Sequence, residues 1–144
     1  MGKKRVIKKT AGGVDSGLRA RALSRIPKKT LPSGILYIQS SYNNTKLNLT
    51  DQQGNTILQS SSGALGFTGA RKGTPFAASK VAELLAEKAK LIGLKEVGIK
   101  IKGIGTGREA ALRSFANQGI DIKFIQDITP IPHNGPRLPK PRRV

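Results

Sequence analysis

Apolar residues in the middle of this chain switch between two spacings, and that switching leaves few folds open. Gly34-Ile35-Leu36-Tyr37-Ile38-Gln39-Ser40-Ser41 is nearly continuous in apolar residues at its start, which reads as a central strand. Tyr42-Asn43-Asn44 supplies turn chemistry, and Thr45-Lys46-Leu47-Asn48-Leu49-Thr50 then alternates as a half-buried strand. A second turn, Asp51 to Asn55, leads to a third strand, Thr56 to Ser61. Short strands on short connections predict an antiparallel meander.

From Thr74 the spacing becomes helical. Thr74 before Pro75 is a side-chain cap with proline at the first helical position. Ala77, Val81, Leu84, Leu85, Ala89 and Ile92 then recur on one face until Gly93 ends the run. Glu87 is expected to pair with Lys90 on this helix. Alternation returns over Glu96 to Lys102, with Val97, Ile99 and Ile101 on one face. Thr106 and Glu109 read as a capping box opening a second helix, with Leu112 and Phe115 inward and Gly119 closing it. Ile120 to Ile128 makes the last strand. The order β-β-β-α-β-α-β predicts an α/β domain whose helices cover a mixed sheet.

Charge decides what such a domain is for. The 144 residues carry 26 Lys and Arg against 8 Asp and Glu, a formal net charge of +18. Solubility alone asks for about 2 to 8 in a small domain. A compact chain at the higher value repels itself unless a polyanion neutralises it. The charge also sits at the ends. Lys3, Lys4, Arg5, Lys8, Lys9, Arg19, Arg21, Arg25, Lys28 and Lys29 face only Asp15 in residues 1–33. Arg137, Lys140, Arg142 and Arg143 face no acid in the last stretch, where three prolines favour extended backbone. The chain therefore divides into a basic arm (1–33), a globular α/β domain (34–130) and a basic, proline-rich tail (131–144). Neither end is expected to fold without a partner, and basic tails of this kind bind phosphates.

Glycine-rich, cationic stretches precede both helices, Gly63 to Gly73 with Arg71 and Lys72, and Lys102 to Arg108. Glycine lets backbone approach a phosphate, and the helix N-terminus favours an anion. Neither stretch has the spacing of a P-loop or a dinucleotide fingerprint. The aromatics are few. Tyr37, Phe76, Phe115 and Phe124 are expected in the core, which leaves Tyr42 and Phe67 exposed and favours backbone and shape recognition over base reading.

Other classes fit poorly. There is no cysteine, so disulfides and thiolate-ligated metals are excluded. His133 is the only histidine, which removes His-based triads and multi-histidine sites. A divalent-metal nuclease would have to use acids such as Asp51 and Asp127, yet turn chemistry and strand ends explain those positions. A membrane-surface reading would use the arm, where only Leu18, Leu23 and Ile26 offer apolar contact at helical spacing.

Several stretches carry a resemblance. They are Ser41 to Thr45, Gly66-Phe67-Thr68-Gly69-Ala70-Arg71-Lys72-Gly73-Thr74-Pro75-Phe76-Ala77-Ala78, Gly107-Arg108-Glu109, and Asp127-Ile128-Thr129-Pro130-Ile131-Pro132-His133-Asn134-Gly135 with Arg137 and the terminal Pro-x-Arg-Arg-Val. In these the chain resembles the family of the universal eleventh protein of the small ribosomal subunit, of bacterial or organellar type, over about residues 33–144. The resemblance implies a ribonuclease-H-like three-layer α/β domain with a mixed five-stranded sheet and no nuclease chemistry. It implies a cytoplasmic or organellar ribosome as its location, and a structural role on the subunit platform, bridging rRNA helices near the mRNA exit cleft. The implied partners are small-subunit rRNA and the seventh and eighteenth small-subunit proteins, with mRNA and initiation factor three nearby and no membrane. No cofactor is implied beyond magnesium held by the rRNA. The residues expected to face RNA are Asn43, Asn44, Lys46, Arg71, Lys72, Lys102, Arg108, His133, Asn134, Arg137, Lys140, Arg142 and Arg143. Ile104 and Thr106 stand where the bacterial pattern usually has proline, a change expected to loosen that loop, and Pro136 where cysteine is common.

Overall fold

Strands β1 (Ser33–Ser40), β2 (Thr45–Thr50), β3 (Thr56–Ser61), β4 (Glu96–Gly103) and β5 (Asp121–Asp127) form one mixed sheet in the order β3-β2-β1-β4-β5. The computed structural model describes residues 16–24 and 26–143. The expected cations Lys3, Lys4, Arg5, Lys8, Lys9 and Arg25 lie outside the described residues. Pairing is antiparallel for β1 with β2 and β2 with β3, and parallel for β1 with β4 and β4 with β5. The meander, the mixed sheet and the central place of β1 are as the sequence predicts.

Helices are α1 (Ser16–Ser24), α2 (Pro75–Leu91) and α3 (Gly107–Ala116). Parallel strands need crossovers, and right-handed crossovers in one direction set α2 and α3 on the same sheet face. There they pack on each other and bury Leu36, Ile38, Leu47, Leu49, Val97 and Ile99 of the sheet against Val81, Leu85, Ala89, Ala111 and Phe115, all 0 % exposed. Each such leucine or isoleucine contributes about 1.5–3 kcal/mol by leaving water. The opposite face carries the polar phase of each strand. Its cross-strand row Gln59, Asn48, Tyr37, Lys100 and Gln126 runs through all the strands and stays partly or fully exposed. Of the expected layers, the described residues supply the sheet and the helical layer on one face.

Local signals hold in some places and give way in others. Thr74 Oγ1 accepts from the Ala77 N–H at 3.3 Å, as its place before Pro75 predicts. Asp51 holds the β2–β3 turn by accepting from the N–H groups of Gln53 (3.0 Å) and Asn55 (2.9 Å). The capping box does not form. Thr106 is itself helical in φ and ψ and turns its hydroxyl to the Gly73 carbonyl at 3.0 Å, while Glu109 reaches Arg113 at 3.6 Å. Glu87 pairs with Arg19 of α1 at 2.6 Å rather than with Lys90, which donates to Gln118.

Two expected core aromatics are exposed. Phe76, on the first turn of α2, is 52 % exposed and meets Phe67 edge-on at 6.1 Å. Phe124 is 44 % exposed and lies on the edge strand over Gly98, where a Cβ would run into its ring. The arm, too, is more structured than expected. Besides α1, Leu23 and Ile26 pack against the core, and Leu31 is buried and donates its N–H to Ile92 at 3.1 Å. The core therefore starts upstream of residue 34, because the chain outside the meander supplies the apolar cover for the end of α2.

Candidate nucleic-acid interface

At the carboxyl ends of β1, β4 and β5 the β1–β2 turn, the loop before α2, the loop before α3 and the chain leaving β5 converge. Open α/β sheets place ligands at this end. Buried Ser62 ties two of these segments: its hydroxyl lies 2.6 Å from Asn44 Oδ1 and 2.7 Å from the Lys72 carbonyl, and it accepts from the Thr45 N–H at 3.2 Å. Thr106 joins the loop before α3 to Gly73. The Gly105 N–H donates to Ser40 at 3.1 Å. A Cβ at Gly73 or Gly103 would overlap the carbonyl oxygen of Tyr42 or Ser40, so these glycines make room for the protein's own backbone. Sequence reasoning had given them to a phosphate.

Arg108 closes the ring. Its guanidinium donates to the Gly103 carbonyl at 2.7 Å and to the Asp127 carboxylate. Asp127 also accepts from the Thr129 hydroxyl (2.6 Å) and N–H (2.9 Å). These bonds, the Thr129 ones foremost and then Arg108, hold its carboxyl well below the usual carboxylate range. The Thr129 hydroxyl in turn accepts from the Gly103 N–H at 3.1 Å.

Besides Arg108, the expected RNA-facing residues fall into three groups. Asn43 and Arg71 are exposed and Asn44 and Lys72 half-buried in the locked loops, with Arg71 and Lys72 immediately before α2. Lys46 and Lys102 lie instead on the open sheet face, both paired in register with Gln39, so they form one row. His133, Asn134, Arg137, Lys140, Arg142 and Arg143 lie in the exposed tail, which has no helix or strand. No hydrogen bond or ion pair joins those tail side chains to the described loops. Asn134 stands at φ 53°, the left-handed region, and so turns the chain there.

Sequence reasoning missed Lys100. Its ammonium sits 5.7 Å from the Tyr37 ring on the same face as Lys46 and Lys102, and its place two residues before Lys102 in an alternating strand was the available signal. It also missed a cleft of about 340 Å³ bounded by Ser41, Tyr42, Lys102, Ile104, Thr129 and Pro130. Tyr42 (76 % exposed) and Ile104 (61 %) stand at its mouth, so the site offers stacking beside charge.

Among the described residues no His, Cys, Asp and Glu gather in a group able to hold a metal ion. Asp51 adjoins Thr50, opposite Ile35 near the start of β1, whereas Asp127 pairs with Ile101, opposite Ile38 near its end. They cannot share an ion. No described helix is long and apolar enough to cross a membrane.

A family model described as Ribosomal protein S11 matches residues 34–143. Small ribosomal subunit protein uS11 of Solibacter usitatus is 47 % identical over 126 residues, covering 88 % of this chain and 93 % of that protein. The protein of the same name from Helicobacter pylori strain 26695 is 49 % identical, covering 85 % and 95 %. That from Nitratidesulfovibrio vulgaris is 52 % identical, covering 86 % and 96 %.

Proposed function

Because this chain belongs to the ribosomal protein S11 family, we propose that it is a structural constituent of the small ribosomal subunit that binds small-subunit rRNA and supports translation. It sits on the platform, bridges rRNA helices near the mRNA exit cleft, and works through contacts rather than catalysis. Its neighbours there are the seventh and eighteenth small-subunit proteins, with mRNA and initiation factor three close by. It needs no cofactor of its own, any magnesium belonging to the rRNA.

The observation that carries this reading is the pairing pattern of its cations. Among the described residues Lys46, Arg71, Lys72, Lys100 and Lys102 have no carboxylate partner; Arg71 and Lys72 stand in loops locked together by Ser62, Thr106 and Arg108, and the three lysines of the strands share the open sheet face. Rigid loops fix where charges stand, which suits the fixed spacing of phosphates in folded RNA. The tail adds cations that can follow a groove or a strand. The apolar residues Leu23 and Ile26 are turned into the core, which speaks against a membrane-surface role for the arm.

Filter binding of the full chain to platform rRNA across a salt series tests the reading. Affinity should fall steeply, since each neutralised phosphate releases counterions. A flat profile would overturn it.

A further inference from the structure

Lys88 of α2 is 5 % exposed, and no carboxylate or hydrogen-bond acceptor among the described residues satisfies it. Burial in apolar surroundings pushes its ammonium below the ordinary lysine range. No fully buried side-chain nitrogen or oxygen among the described residues lacks a hydrogen-bond partner, so the ammonium opens onto the groove, an unpaired cation in apolar surroundings that a carboxylate brought from outside can reach. The side chain borders a groove of about 500 Å³ that Leu18, Arg21, Ile57, Leu58 and Leu65 also line.

One wall of that groove is β3, the edge of the sheet. The Ser62 N–H donates to Thr45 across the ladder at 3.1 Å, and backbone groups alternate in direction along a strand. Ser60 and Leu58 therefore turn their N–H and C=O toward β2, and Gln59 turns its pair outward to the groove. A second cavity, of about 300 Å³, continues past Gln59, Ser60 and Ser61.

We propose that this groove takes an extended acidic peptide of another protein, which adds as a strand to the β3 edge and sets a carboxylate on Lys88. Charge selects the occupant. Residues 1–14 of the chain carry no acid, and a second copy would bring another net +18. An RNA phosphate would match Lys88, but a phosphodiester gains nothing from the walls made by Leu18, Ile57, Leu58 and Leu65. An acidic peptide matches both, with backbone bonds to Gln59, aliphatic contact on the walls and the carboxylate at the floor.

The test is NMR titration of the full chain with two acetylated, amidated hexapeptides, Thr-Val-Glu-Val-Thr-Val and the same sequence with Gln for Glu. The acidic peptide should shift the Gln59 amide and the Lys88 ammonium and bind about tenfold tighter than its Gln counterpart, the worth of one charge-assisted bond. The Lys88→Met variant should bind both alike. Equal affinity for the two peptides, or no binding of either, overturns the proposal. So does displacement of the acidic peptide by hexauridylate or inorganic phosphate, which would give the groove to phosphates. If Lys88→Met does not fold, the comparison of the two peptides on the unaltered chain decides alone.

Discussion

Arg108 and Asp127 meet across the mouth of the β4–α3 loop, and the same guanidinium holds the carbonyl of Gly103 at 2.7 Å. One ion pair thus fixes the start of α3, the end of β4 and the end of β5. A cation expected to face RNA is engaged in keeping the loops that carry other cations in place.

The pair has a pH signature. The Asp127 carboxyl is held below its ordinary range in the folded chain, by Thr129 first and by Arg108. Its contribution to stability is therefore full above the unfolded carboxylate pKa of about 3.9 and is lost as pH falls through the lower folded value. Carboxyl-carbon NMR should show Asp127 still ionised well below the ordinary aspartate pKa of about 3.9. Titration of Asp127 at the ordinary aspartate value would remove the clamp.

Gly103 offers a steric test. It stands at φ 105° with Ser40 against the place a Cβ would take, whereas Gly119, at φ 75°, has open space there. Gly103→Ala should cost about 3 kcal/mol or more in chemical denaturation, backbone strain and overlap adding. Gly119→Ala should cost only about 1 kcal/mol, the strain alone. Equal costs would mean that the β1 end and the β4–α3 loop are not in contact.

These glycines also mark how far the sequence could be read. The limits of β2 and β3 and the cap of α2 were legible, because alternation, turn residues and Thr74-Pro75 act locally. Thr106 and Glu109 satisfied a local pattern and still formed no capping box, since the Gly73 carbonyl, distant in sequence, draws the hydroxyl away. That bond also ties down the loop that non-proline residues at 104 and 106 were expected to loosen. Glycine freedom was legible and its purpose was not, because sequence does not say whether a ligand or a neighbouring strand fills the space. The Lys46 and Lys102 row depended on register with Gln39, which appears only once strands pair.

Lys88 should make stability rise toward alkaline pH. Its folded pKa is lowered from 10.5, so the unfolded chain binds the extra proton between the two values and stability increases with pH there. Lys88→Met should raise the melting temperature at pH 7 and abolish that rise. An unchanged melting temperature would indicate that its apolar surroundings cost the ammonium nothing.

The tail should act through its charge. Removing residues 137–143 takes away Arg137, Lys140, Arg142 and Arg143. If each neutralises one phosphate, the slope of log affinity against log salt should flatten by about 3 to 4. Melting should stay within about 0.5 kcal/mol of the full chain, since the tail is exposed throughout. An unchanged slope would remove the tail from the interface.

Sedimentation of a tagged copy of the full chain through a sucrose gradient, from cells that make it, tests the central claim most directly. The chain should travel with free small subunits when magnesium is lowered to part the ribosome, and should leave them in high salt. Recovery at the top of the gradient among unassembled proteins, at low and high salt alike, would contradict a role in the small subunit.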